Sequence, residues 1–402
     1  MAAQQLPEDM IVEIIARLPV KSLIRFRSVC KPWQARIKSP DFADHHLSLS
    51  ARSSAASSFL TLVHLLNPDP MMSFVVTVDR DSGVALTKEV NLPDVGDGCG
   101  KVVALLEKFY APEVEDGCRR NAALLGCGCG GCGVYCVAER LADIAMIWNP
   151  ATREARRVPR CSDGDKNLNC KLVAFSCCVD REKRVRDFKL MRLVHVEGAY
   201  ALKIYTMSTD SWSSAAEGRI GLGYDAVWKL LMVQGVVNLS NVAHWVVCLV
   251  TGPNAILIFD FGVESFGLIS PPEALMDSAY HVSVTLFDGR FLCLIELGRE
   301  TAEVWVMREY GIEESWVRHA VVPVGDQFHH RNWYPNWSAV KEDENGIYGL
   351  FSEDDELYFC SKAGFRKIWI GKKGRSRVRI AVGSNANNVE SLVSLEQQSI
   401  AG

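Results

Sequence analysis

The chain has 402 residues, 48% hydrophobic and 23% charged, the balance of a folded protein rather than a disordered one. Its length exceeds what one hydrophobic core usually supports, so a small module plus a large domain, or two middling domains, is expected. A net charge of -4 argues against generic nucleic-acid binding. The opening MAAQQLPEDM has neither the basic start nor the apolar run of a signal peptide, and the longest apolar run, Trp245 to Val250, is too short for a bilayer span. These features imply a soluble intracellular protein, in which the fourteen irregularly spaced cysteines are expected as reduced thiols.

The first forty residues predict three short helices. Pro7 sits where a first turn tolerates proline, Glu8 and Asp9 follow where the helix dipole favours acids, and Met10, Ile11, Ile14, Ile15 and Leu18 recur at helical spacing. Pro19 ends that helix. A second is expected from about Lys21 to Cys30, and Pro32 opens a third carrying Trp33 and Ile37. Domains below about 40 residues rarely bury so many large apolar groups unaided, so some of this surface must meet another protein or the rest of the chain. Residues 1 to 40 hold seven basic side chains against Glu8, Asp9 and Glu13, a local +4 suited to an acidic partner.

The pattern Leu6-Pro7, Ile11, Ile14, Leu18-Pro19-Val20-Lys21-Ser22-Leu23, Arg25-Phe26, Val29-Cys30-Lys31 and Trp33 resembles the F-box. Such proteins are substrate receptors of SCF-type (Skp, cullin, F-box) ubiquitin ligases. The resemblance implies binding to an acidic Skp-family adaptor, and through it a cullin, by Leu6, Pro7, Ile11, Ile14, Leu18, Pro19, Leu23, Phe26, Val29, Cys30 and Trp33. Internal packing is the competing reading at any single position.

An F-box at 1–45 is followed by a Ser/Ala-rich stretch, and 46–58 is read as a linker or a poorly packed helix end. From Phe59 to about residue 395 the chain is mainly short β-branched and aromatic runs between turn residues, among them SFVVTV (73–78), HWVVCLV (244–250), AILIFDF (255–261), RFLCLIEL (290–297) and EVWVM (303–307). A large, mainly antiparallel β domain is expected, closed or stacked to hide its strand edges. Residues 396–402 read as a disordered tail.

LKIYTMSTDSW (202–212) aligns without gaps on ILIFDFGVESF (256–266), and related strands occur around Trp148 and Trp305. Trp148, Tyr205, Phe259 and Trp305 are 57, 54 and 46 residues apart. Units of roughly 40 to 50 residues suggest propeller blades, with stacked sheets as the alternative. The same segments, with IWNPATREARRVP and VESLVSL (389–395), resemble the F-box-associated domain of the large plant F-box family over about 140–395. That resemblance implies recruitment of a substrate or partner without chemistry of its own.

Gly126, Gly128 and Gly131 have dinucleotide-fingerprint spacing but lack a following helix, so no cofactor is expected. Cys127, Cys129, Cys132 and Cys136 lie within ten residues, whereas structural zinc sites usually use two knuckles further apart. Buried thiols are the preferred reading there, with a metal or redox role as the alternative. FHHRNWYPNW (328–337) gathers His329, His330, Arg331, Trp333, Tyr334 and Trp337, and His330, Arg331, Trp333 and Tyr334 are the candidate substrate-binding residues, since aromatics and arginine dominate binding hot spots. The competing reading is packing between blades. RKIWIGKKGRSRVRI (366–380) reads as a basic edge strand. No P-loop, nucleophile elbow or RING-type metal spacing occurs.

The expected function is that of a non-catalytic SCF substrate receptor, acting in the cytoplasm, the nucleus or both. The alternatives are an F-box scaffold or inhibitor without turnover, and a propeller-type ligand- or glycan-binding module.

Overall fold

In a computed structural model of the chain, the residues described are 7–53, 58–65, 72–78, 85–90, 122–126, 132–139, 145–161, 170–180, 184–196, 199–214, 236–248, 254–276, 281–324, 336–343, 346–353, 356–362, 364–368, 378–387 and 391–395. Four helices lead: α1 Glu8–Ile15, α2 Val20–Phe26, α3 Lys31–Lys38 and α4 Pro40–Ser53. Prolines set their starts. Pro7 and Pro19 are the residues before α1 and α2, and their carbonyls accept from Ile11 N and Leu23 N at 3.2 Å each.

The fourth helix corrects the expectation of three. Ser39 Oγ accepts from Phe42 N at 3.3 Å, Pro40 opens the first turn and Asp41 follows, which is a helix start in full. Of the residues read as a linker or a poorly packed helix end, those as far as Ser53 are helix, where Leu47 and Leu49 have something to pack against.

Among the described residues, twenty-four strands fall into six antiparallel groups of four. The first group joins β1 Ser58–Leu65, β2 Met72–Val78 and β3 Ala85–Val90 to the last strand, β24 Val378–Asn387, which pairs with β1. The second is β4 Ala122–Gly126, β5 Tyr135–Glu139, β6 Ala145–Asn149 and β7 Glu154–Arg157; the third is β8 Cys170–Val179, β9 Val185–Val196, β10 Ala199–Thr206 and β11 Ser211–Ser214. The fourth is β12 Val237–Leu239, β13 Val242–Cys248, β14 Asn254–Asp260 and β15 Ser265–Ile269; the fifth is β16 His281–Phe287, β17 Phe291–Leu297, β18 Thr301–Met307 and β19 Trp316–Pro323. The sixth is β20 Asn336–Asp343, β21 Gly346–Glu353, β22 Glu356–Ser361 and β23 Gly364–Ile368.

These groups are propeller blades. Parallel bridges join the inner strands of neighbouring blades, Ser384 of β24 to Leu125 of β4 and Phe287 of β16 to Val340 of β20. Apolar cores fill the spaces between blades, the largest joining the second, third and fourth around Trp245, Phe175 and Tyr205. Closing the ring with β24 leaves the first blade no open inner edge.

The sequence marks are structurally equivalent. Trp148, Tyr205, Phe259 and Trp305 all lie on the third strand of their blades. Tyr205 is paired with Trp212 and Phe259 with Phe266 across the third and fourth strands, with ring centroids 5.5 and 4.9 Å apart. The intervening turns each end on a residue of positive φ, Arg153, Asp210 or Glu264, the left-handed step such hairpins need.

Three expectations need correction or relocation. RKIWIGKKGRSRVRI is not one edge strand: Lys367 is on the outer β23, whereas Arg379 and Ile380 belong to the innermost β24. Cys177 is disulfide-bonded, so the cysteines are not all reduced; pairing depends on proximity in the sheets, which sequence spacing does not reveal. His329, His330, Arg331, Trp333 and Tyr334 lie outside the described residues, and Trp337 is a buried core residue stacked on Phe351 at 4.5 Å.

Candidate adaptor-binding face and its seating on the propeller

The first three helices sort their apolar side chains into two sets. Ile15, Ala16, Val20, Leu23 and Ile37 are buried in one small core with Phe42 and Ala43 of α4. Met10 and Ile14, one turn apart on α1, are each 52% exposed, and Val29 is 64% exposed. Between these sets lie half-buried Ile11, Leu18, Phe26 and Trp33, the last two with ring centroids 5.3 Å apart. Aliphatic side chains with half or more of their surface in water lose apolar burial that a partner could supply, at roughly 25 cal/mol per Å².

The candidate residues thus divide. Pro7, Ile14, Pro19, Val29 and Cys30 are exposed, and Ile11, Leu18, Phe26 and Trp33 are half-buried. Leu23 has no exposed surface and is a packing residue, which removes it from the set able to touch a partner directly. Leu6 lies outside the described residues. Met10 was missed; its position four before Ile14 was the available signal.

Around the exposed set, Lys21, Arg25, Lys31, Arg36 and Lys38 all face water. The acids of α1 are partly occupied: Glu13 pairs with Arg17 at 2.6 Å, which holds its carboxyl below the usual range, and Glu8 lies 3.7 Å from Arg36. The net field of this face is positive.

The small core is completed from the far end of the chain. Leu392 is buried among the F-box-like helices, whereas its neighbours Val393 and Leu395 enter the large propeller core. This alternation is that of an extended segment with a different hydrophobic surface on each side. Asn149, at the end of β6, donates from Nδ2 to the carbonyls of Ser391 and Val393, and Glu154 Oε2 accepts from Leu395 N at 2.7 Å and Ser394 Oγ at 3.1 Å. Helix α4 is held as well. Leu47 packs on the propeller core, His46 Nε2 donates to Leu18 O at 3.0 Å, and Asp41 lies 3.9 Å from Arg184 of the β8–β9 hairpin. Asp44 faces that hairpin; its burial pushes the carboxyl up, against the pull of Arg186 and a hydrogen bond from Val185 N–H.

The other constellations resolve differently. Gly126 pairs with Tyr135 in a β hairpin, so the glycines precede a strand rather than a phosphate-binding helix. Cys132 and Cys136 are fully buried and their thiols are pushed up to about 12 by desolvation, the environment of packing residues; Cys127 and Cys129 lie outside the described residues. Among the described residues no group of three or more His, Cys, Asp or Glu side chains is placed to hold a metal ion, and no helix is long and apolar enough to cross a membrane.

Two family models agree with this architecture. Residues 4–45 match the family model of the F-box domain, and 86–395 match that of the F-box associated beta propeller domain. Relatives from Arabidopsis thaliana include F-box protein CPR1, 24% identical over 78% of this chain and 72% of its own length, and putative F-box protein At3g17480, 25% identical over 87% and 85%. Among solved structures, a chain of a nidogen/laminin complex covers 81% of this chain and 99% of its own, at 9% identity and a TM-score of 0.38. With both family models matched in order and the propeller model spanning most of its length, the chain belongs to the plant F-box proteins that carry an F-box-associated β-propeller domain.

Proposed function

We propose that this chain is the substrate-recognition subunit of an SCF-type ubiquitin ligase. Its α1–α3 face binds an acidic Skp-family adaptor, and through it a cullin, while the propeller holds a protein target. The observation that carries this reading is the exposure of Met10, Ile14 and Val29 on a basic face whose own core is already filled. The chain acts by proximity, raising the local concentration of target lysines near the charged ubiquitin carrier made available by other subunits. Its place of action is then the cytoplasm, the nucleus or both.

The test is titration of the full chain with a Skp-family adaptor. Ile14→Asp and Val29→Asp, both at exposed positions, should leave thermal stability nearly unchanged and weaken binding at least tenfold. Leu23→Asp serves as the contrast, because it should lower stability first. Unaltered affinity in both surface variants would reject the assignment. Target half-life with and without the first 45 residues then separates a receptor from a scaffold that causes no turnover.

A further inference from the structure

Nine large apolar side chains are strongly exposed among the described residues, and three of them are the Met10, Ile14 and Val29 set. The other six lie on the fourth and fifth blades: Val263 and Leu268 at β15 and its preceding turn, Tyr310 and Ile312 in the turn from β18 to β19, and Val317 and Val321 on β19. Single exposed apolar residues are ordinary, so what surrounds each decides its meaning.

The turn from β18 to β19 is built to hold its shape. Ser315 Oγ accepts from Glu309 N at 3.1 Å and lies 2.6 Å from Ile312 O, Gly311 takes a positive φ, and Gly311 N donates to Met307 Sδ. It is also fastened to the neighbouring blade. Tyr310 Oη donates to His244 Nε2 at 2.8 Å, Trp316 Nε1 donates to Ser270 O at 3.0 Å, and Ser270 N donates to Glu313 Oε1 at 3.3 Å. Despite these ties, Tyr310 and Ile312 keep 47% and 48% of their surface in water. A turn fixed before binding loses little entropy when a ligand docks, which suits recognition.

The charges around it choose the ligand. Glu309, Glu313 and Glu314 flank the apolar pair, and the one base of the turn, Arg308, is drawn toward His319 Nδ1 at 2.8 Å and the Phe291 ring. Apolar contacts rimmed by carboxylates complement a segment that alternates aliphatic or aromatic residues with Lys or Arg. We propose that the turn from Arg308 to Trp316 is the docking element for a basic, apolar peptide segment of the target protein. This rests on the receptor reading above and specifies the class of target.

The test selects displayed random twelve-residue peptides on the full chain, then titrates enriched peptides by fluorescence anisotropy against wild type, Ile312→Ser and the pair Glu309→Lys, Glu314→Lys. All three positions are exposed, so folding should be retained, as a thermal scan verifies. Enriched peptides should carry Lys or Arg beside large apolar residues, bind at least tenfold more weakly to both variants, and weaken with added salt. Absence of enrichment, enrichment of acidic or uncharged peptides, or equal binding to the variants overturns the proposal. So does a concentration-dependent dimer of wild type that Ile312→Ser abolishes, which would assign this face to a second copy. Adaptor titration of the same preparations is read separately: its failure in wild type would reject the ligase reading whatever the peptides do.

Discussion

Asn149 donates from one amide nitrogen to Val393 O at 2.8 Å and Ser391 O at 3.2 Å, while its Oδ1 accepts from Ala151 N at 3.0 Å. One buried side chain therefore shapes the β6–β7 turn and fixes the segment that fills the F-box core. Asn149→Asp keeps the acceptor and replaces the donor with a carboxylate against two carbonyls. A loss of about 2–3 kcal/mol is expected from the broken bonds and the buried charge. Urea unfolding at neutral pH gives the stability, and adaptor titration should show a parallel loss of affinity.

Leu392→Ala should empty a space beside Leu23 and Ile37 rather than one in the propeller. Truncations of this kind cost about 2–4 kcal/mol. Hydrogen exchange locates the damage: amides of α1–α3 should exchange faster, with those of β16–β19 unchanged.

His244 supplies a pH dependence. Burial pushes its imidazole down to about 4, against the opposing pull of the hydrogen bond that Nδ1 donates to Val237 O; Nε2 accepts from Tyr310. Below an ordinary histidine value near 6.5, the unfolded chain takes up a proton that the folded one refuses. The contribution is thus complete above about pH 6.5 and lost as pH falls toward 4, amounting to about 3 kcal/mol. Unfolding measured at pH 4.5 and 7.5 should show this difference shrink in His244→Gln. A difference of the same size in the variant would place the effect elsewhere.

Cysteine reactivity should follow exposure. Cys30 is exposed, whereas Cys132, Cys136, Cys293 and Cys360 are buried, with thiols pushed far toward the neutral form. Iodoacetamide on the native chain should therefore modify Cys30 well before those four, as peptide mass spectrometry will show. Modification should weaken adaptor binding in wild type and leave Cys30→Ser unaffected.

The F-box was legible because its signals are local: prolines before helices, acids in a first turn and apolar residues at helical spacing. The repeat was legible for a similar reason, since Tyr205 with Trp212 and Phe259 with Phe266 are hairpin neighbours separated by one turn. Helix α4 was missed although Ser39-Pro40-Asp41 announces it, because the Ser/Ala-rich stretch that follows reads as a linker. What local patterns could not supply was the allocation of surface. Leu23 and Val29 are both apolar members of one motif, yet one is sealed in the small core that includes Leu392 and the other is exposed. Nor does VESLVSL announce that alternate residues will enter two different cores.

The seating of Leu392 also orders events during synthesis. The F-box helices leave the ribosome first, but the side chain that completes their core is made about 350 residues later, a delay of roughly 20–70 seconds at typical elongation rates. The first blade waits similarly for β24. A chain stalled before these residues would carry an F-box core without Leu392 and a first blade without its inner strand.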